Sequence, residues 1–225
     1  MPLTRMRLGV LTLALAAAMF VLYPATRPWH DETTAEGATT AMSSNGWVAS
    51  HLFAIIGFIL VPLGLLAVHR AFAATPAEPM AFAATVAIWL GAGLTLPYYG
   101  AEDFGLHAAA RAAAAGSELD LLELVDAIRF QPVAVTTFGL GLLLLAAGAI
   151  LTAVAIPRSG VMPRWSGVPF AVGFALFLPQ FLAPPAVRIA HGVLVAAGLL
   201  WLALSLRRAG ARPDRATAGP DPGTG

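Results

Sequence analysis

Six long apolar runs divide this chain of 225 residues, and they constrain its fold more than any other feature. A helix needs roughly 20 apolar residues to cross about 30 Å of hydrocarbon, and the lipid interior tolerates no backbone group without a hydrogen-bond partner. Each apolar run therefore predicts a membrane-spanning helix. The predicted spans cover residues 8–23, 47–68, 80–99, 132–156, 165–183 and 189–206.

The composition agrees with a lipid environment. Hydrophobic residues make up 58% of the chain and charged residues only 11%, which leaves too little polar surface for a soluble domain. The absence of cysteine excludes disulfides, thiolate catalysis and cysteine-ligated zinc or iron–sulfur centres. We therefore predict an all-α integral membrane protein, a six-transmembrane-helix bundle over residues 1–208, with a disordered cytoplasmic tail at 209–225 that is rich in Gly and Pro.

The first apolar run has a second interpretation. It is the shortest of the six and follows Arg5 and Arg7, as the apolar region of a cleaved signal peptide would. The run continues past its small residues to Tyr23, which favours a retained helix.

Arginine sets the predicted orientation. All 13 basic residues are arginine, and nine of them fall in segments that are cytoplasmic if the N-terminus lies inside, whereas nine of the 12 acids fall in the outer segments. Such an asymmetry predicts a multi-pass protein with both termini cytoplasmic. The nine inner arginines are Arg5, Arg7, Arg70, Arg158, Arg164, Arg207, Arg208, Arg212 and Arg215.

The same residues bear on location and partners. A chain rich in Ala, Gly, Pro and Arg without lysine is typical of a GC-rich bacterial genome, so the predicted location is the bacterial plasma membrane. The basic residues lie in short turns without a folded basic domain, which argues against nucleic acid as a partner. The predicted partners are the lipid bilayer and, in one interpretation, another membrane protein.

The two long outer loops differ in pattern. Residues 24–46 are rich in Thr, Ala and Ser without apolar periodicity, so we expect a mobile loop. In the loop between spans 3 and 4, residues 118–130 alternate apolar and acidic faces at helical spacing, and Ser117 precedes Asp120 at the spacing of a capping box. This pattern predicts an amphipathic helix lying on the outer surface.

A polar cluster is predicted at the outer ends of the helices, around the stretch "GAEDFGLHAAAR" at 100–111. Ionisable groups inside spans usually face the bundle interior and find partners there. If the third helix continues past Gly100 and Gly105, the side chains of Asp103, His107 and Arg111, at i, i+4 and i+8, share one face. The candidate ligand or metal residues are His51, Asp103, His107 and His191, and the supporting charges are Glu102, Arg188 and Arg111.

Three interpretations of this cluster stay open. It closes the top of the bundle through pairs such as Glu102 or Asp103 with Arg188 or Arg111. Alternatively it binds a small ligand, a metal such as zinc, or haem b through two histidines. In the third interpretation it is an intramembrane metal-dependent hydrolase that uses bound water with Ser50 or Glu102, although no HExxH or GxSxG motif is present.

A transporter-like protein is a further alternative, but the middles of the spans carry no acid or base. The favoured function is a binding or accessory membrane subunit rather than an enzyme. No cofactor is predicted outright.

Overall fold

A computed structural model describes residues 3–211, and this part of the chain consists of helices joined by turns and loops, without strands. A π-helix, Ala101–Leu106, joins α4 to α5 without a break, and a 3₁₀-helix, Pro179–Leu182, lies between α8 and α9. The α-helices are α1 (Leu3–Thr26), α2 (Ala35–Met42), α3 (Asn45–Ala71), α4 (Glu78–Gly100), α5 (His107–Ala114), α6 (Leu121–Arg129), α7 (Pro132–Ser159), α8 (Val168–Ala175) and α9 (Pro185–Gly210).

Five helical segments are long and apolar enough to cross a membrane. They comprise α1, α3, α4 with its continuation to Ala114, α7 and α9. Many large apolar side chains on these helices are exposed, as lipid-facing residues of a multi-pass membrane protein would be. The helical class and the membrane character expected from the sequence are therefore supported.

The predicted span at 165–183 does not form one continuous helix. Its residues divide into α8 and the 3₁₀-helix Pro179–Leu182, with turns before and between them. Pro179 opens the second piece, and proline lacks the N–H that an uninterrupted α-helix would use at this position. Five long helices are thus found where six had been expected.

Six elements form a closed ring. Along the ring α1 packs against α3, α3 against α4, α4 against α7, α7 against α8, α8 against α9, and α9 returns to α1. Aromatic rings fill the centre: Phe20 of α1 meets Phe58 edge-on, with ring centroids 5.2 Å apart, and also contacts Phe177. The first apolar run therefore supplies a central part of the core.

A helical cap, consisting of α2, α5 and α6, covers one end of this ring. It has a small apolar core of its own, in which Ala41, Met42, Trp47 and Leu106 are fully buried. The prediction of a mobile loop at 24–46 is therefore wrong in part, because α2 forms there and packs against α5 and α6. Small alanines that show little apolar pattern in the sequence become core residues once α5 and α6 cover them.

The helix expected at 118–130 begins later than its capping pattern indicated. Asp120, rather than Ser117, is the N-terminal capping residue of α6, and its carboxylate accepts from the Glu123 N–H at 3.1 Å. Ser117 instead helps to end α5, because its own N–H donates to the carbonyl of Ala112. The apolar face of α6 packs into the cap.

The C-terminal tail predicted at 209–225 begins inside α9, which continues to Gly210. Residues 212–225 lie outside the described residues.

Candidate functional site

Five side chains meet where the cap rests on the helix ring, and we call them the cap network. They are Arg27, Glu32, His51, Glu102 and Arg129. Arg27 and Glu32 follow α1, His51 lies in the second turn of α3, Glu102 belongs to the π-helix, and Arg129 ends α6. The network therefore ties three helical segments and a loop together at one place.

Arg129 is the centre of the network. Its Nε donates to Glu102 Oε1 at 2.6 Å and its Nη2 to Glu102 Oε2 at 2.8 Å. This bidentate pairing fixes the orientation of the guanidinium and the carboxylate. The same Nη2 donates to Glu32 Oε2 at 2.9 Å. One guanidinium thus joins the cap to two separate acidic residues.

Arg27 completes the network on its other side. Its Nη2 donates to Glu32 Oε1 at 2.6 Å, and its Nη1 lies 3.1 Å from His51 Nε2. Because a guanidinium has only donors, Nε2 must accept, and the proton of the neutral imidazole sits on Nδ1. That Nδ1 lies 2.8 Å from the carbonyl of Trp47 and donates to it. Both ring nitrogens of His51 are therefore occupied.

Trp47 packs against the cap network. Its indole N–H donates to the backbone carbonyl of Glu102 at 2.7 Å, and the Arg27 guanidinium lies 4.4 Å above its ring. A cation over an aromatic face is stabilised by the ring quadrupole, more strongly where water is excluded. The fully buried tryptophan therefore positions Arg27 and the π-helix together.

The two arginines stay charged in this buried setting. Burial by itself would lower the pKa of Arg129, but its hydrogen bonds to Glu102 and Glu32 and their charges raise it above the ordinary value. For Arg27 burial again acts downward and is outweighed by Tyr23, Glu32 and Glu102, so its pKa is also raised. Two arginines, two glutamates and a neutral histidine give the network no net charge.

Asp103, next to Glu102 in the π-helix, has a different environment. It is fully buried, and neither carboxylate oxygen has a hydrogen-bond partner among the described residues. A π-turn is wider than an α-turn and is often found at functional sites. Here it buries two adjacent carboxylates, of which only one is paired.

Replacing Asp103 with asparagine should raise the free energy of unfolding by about 1 kcal/mol, because burying a neutral amide costs less free energy than burying a carboxylate without a partner. Thermal or denaturant unfolding of the purified protein in detergent measures this. Asp126→Asn, which removes an exposed carboxylate of the cap, is the matched control and should leave stability unchanged. A clear loss of stability in Asp103→Asn would show that the carboxylate has an essential partner.

The other candidate histidines have separate partners. His107 Nδ1 lies 2.7 Å from the carbonyl of Met42 in α2, and His191 Nε2 lies 2.8 Å from the carbonyl of Gly173 in α8. The structure brings His51 to within 4.0 Å of Glu102 and gives His107 and His191 different neighbours. Within residues 3–211 no group of three or more histidine and acidic side chains could hold a metal ion.

The expected charge pairs are replaced by others. Glu102 pairs with Arg129 instead of Arg188 or Arg111, and Arg111 is exposed. The helix does continue past Gly100, through the π-helix into α5, but burial decreases along it: Asp103 is buried, His107 is half-buried and Arg111 is exposed. Arg188 instead bonds through Nε to Gln180 Oε1 at 3.1 Å.

Sequence reasoning missed four residues of this site: Arg27, Glu32, Trp47 and Arg129. Trp47 begins the second predicted span, a position at which an indole ring commonly lies in the membrane interface, yet it is fully buried. The available signal was the stretch "RPWHDE" at 27–32, where an arginine precedes a tryptophan and two acids follow it in an otherwise Thr- and Ala-rich loop.

Comparison with known proteins gives no match to a family model, to a curated protein or to a solved structure.

Proposed function

We propose that this chain is a bacterial plasma-membrane protein that crosses the bilayer six times, with both termini in the cytoplasm and the cap outside. Its role is that of a binding or accessory subunit, in which the cap is the part that meets a ligand or another membrane protein. The crossings are the five long helices and the broken segment that contains α8.

Contacts along α7 support the broken segment as a crossing. Gly167 lies against Ala153 and Ile156 near the C-terminal end of α7, whereas the Phe181 ring lies 5.6 Å from the ring of Phe138 near its N-terminal end. The segment therefore runs beside α7 in the opposite direction. Its irregular backbone packs between α7 and α9, and non-helical backbone at membrane depth needs such protein neighbours.

The distribution of charge supports the orientation. Six acids are exposed at the cap end: Asp31, Glu36, Glu118, Asp120, Glu123 and Asp126. The turns and helix ends at the opposite end of the ring carry Arg70, Arg158 and Arg164, together with Arg207 and Arg208. Arginine is retained on the cytoplasmic side, so the acidic cap belongs outside.

The closed bonding of the cap network is the observation that carries the proposed role. A histidine that acts as a general base needs a free ring nitrogen within reach of the proton that it removes. Both nitrogens of His51 are occupied, and the hydroxyl of Ser50 donates to the Trp47 carbonyl at 2.8 Å. This geometry favours a rigid support for a binding surface over hydrolysis.

Single-cysteine labelling tests the topology, and the cysteine-free chain provides a clean background. With a membrane-impermeant maleimide on intact cells, Ser117→Cys in the cap should react, whereas Ala74→Cys should react only after permeabilisation. Ala186→Cys and Gly160→Cys, on either side of the broken segment, should likewise differ. Equal labelling of this second pair would remove the sixth crossing, and labelling of Ala74→Cys in intact cells would reverse the orientation.

The role is tested on the same variants. A photocrosslinking maleimide on Ser117→Cys should give a discrete larger product in membranes, and the same reagent on Ala74→Cys should not. Purified protein should then be assayed for a visible spectrum and bound metal. A Soret band lost on replacing His51 or His191, or stoichiometric zinc, would contradict a purely supporting role for the polar cluster.

A further inference from the structure

Arg188 is a cation without a counter-charge in the described part of the chain. No described carboxylate lies within salt-bridge distance of it, and the neighbouring cap network is already neutral in itself. The guanidinium is nevertheless held in place: it lies 4.8 Å over the ring of Trp29 and 5.3 Å over the ring of Phe181. A positioned arginine that lacks an acid is suited to bind an anion from outside the chain.

Gln180 adds a second donor beside it. Its side-chain oxygen accepts from Arg188 Nε, and its Nε2 is buried without a partner among residues 3–211, in a residue that is only 6% exposed. A buried donor that makes no hydrogen bond costs free energy, so we expect an acceptor from outside the chain. Both Gln180 and Arg188 line one small cavity, together with Tyr23 and His191.

The size of this cavity limits what it can accept. Its volume is about 10 Å³, which is about the room that a single water-sized group needs. A whole small molecule does not fit, but one oxygen of a phosphate does. The rest of the ligand must lie outside the cavity.

The surface beside the cavity is apolar. Leu182 is 93% exposed and Val187 51% exposed, and both lie in the chain between Gln180 and Arg188. In the proposed membrane position these residues lie near the ends of their segments, at the depth where lipid headgroups meet acyl chains. An amphipathic ligand therefore fits better than a soluble anion.

We propose that Arg188 and Gln180 bind a phosphate oxygen of an outer-leaflet phospholipid, whose acyl chains lie along Leu182 and Val187. Arg188 supplies charge and Gln180 Nε2 a directed hydrogen bond. This inference rests on the proposed membrane position of the chain.

The test is native mass spectrometry of the detergent-purified protein titrated with phosphatidylglycerol and with diacylglycerol of the same acyl chains. Wild type should bind phosphatidylglycerol about tenfold more tightly than diacylglycerol. Gln180→Glu keeps the acceptor for Arg188 but turns the free donor into a charged acceptor, and should remove this preference. Arg188→Gln should lower phosphatidylglycerol affinity by about tenfold. The control is Arg164→Gln, which removes an arginine that also lies over a tryptophan ring, at 4.5 Å, and should change nothing.

Equal binding of both lipids to wild type, or no change in Gln180→Glu, would overturn the proposal. If glycerol phosphate competes as strongly as phosphatidylglycerol, the ligand of this site is a soluble anion and the proposed lipid is wrong. If cysteine labelling gives the expected topology while the lipid preference is missing, only this inference fails. If the labelling itself is reversed, the proposed function fails first.

Discussion

Replacing Arg129 with methionine should lower the free energy of unfolding by about 3 kcal/mol. Methionine keeps an unbranched apolar stem but leaves Glu102, which is buried, without a cation to bond it. Removing one partner of a buried ion pair costs about 3–5 kcal/mol, and we take the lower end because the Arg129 side chain is 18% exposed. Denaturant unfolding in detergent, followed by tryptophan fluorescence, measures the change.

A double variant separates this pairing from simple loss of packing. Arg129→Met with Glu102→Gln leaves no unpaired carboxylate at position 102, so it should be less destabilised than the sum of the two single variants by at least about 1 kcal/mol. Arg111→Met, at an exposed arginine of α5, is the control and should leave the unfolding curve unchanged. Additive effects of the two changes would contradict the network as described.

Replacing Gly91 with alanine should lower the free energy of unfolding by about 2 kcal/mol. A methyl group at Gly91 would lie 2.7 Å from the carbonyl oxygen of Gly141 and 2.8 Å from the backbone nitrogen of Leu145. Both contacts are with backbone, so α4 and α7 would have to move apart. Close approach at small residues is how membrane helices gain packing energy in the absence of a hydrophobic driving force.

Gly93 provides the control on the same helix. No atom of the residues that the structure describes lies within 4 Å of a methyl group added there, so Gly93→Ala should keep or slightly raise stability through its better helix propensity. Gly141→Ala and Gly139→Ala repeat the comparison on α7, since only the first would meet neighbours. Equal losses in both members of a pair would show that helix propensity or insertion, rather than contact between α4 and α7, decides the outcome.

The glycines show how far sequence reasoning reaches. Their abundance in the apolar runs predicts close helix approach, but it does not tell Gly91 from Gly93 or Gly141 from Gly139. That distinction depends on the angle at which each helix faces its neighbour. The apolar runs carry little information on this angle, because residues facing lipid and residues facing another helix are alike.

The sequence indicated near which end of the helices the polar residues lie, but not which of them pair. His51, Glu102 and Asp103 lie at the ends of the spans that were predicted to be outer, and all three are buried at the cap end of the helices. Their partners were not predictable, because Arg129 and Glu32 are 97 residues apart and the second of them lies in a segment without apolar periodicity.

The sequence by itself determined the helical class and its membrane character, because the length and polarity of each run decide whether a backbone can satisfy its hydrogen bonds in lipid. It also placed the polar residues near one end of the helices, since depth follows from position along a run. Only the tertiary structure decided which of them pair. The π-turn at Ala101–Leu106 changes the direction of the side chains after Gly100, and the cap folds only when α2, α5 and α6 bury one another. The contacts of the cap join distant segments, and the apolar pattern of a single run reveals neither these contacts nor the wider turn of a π-helix.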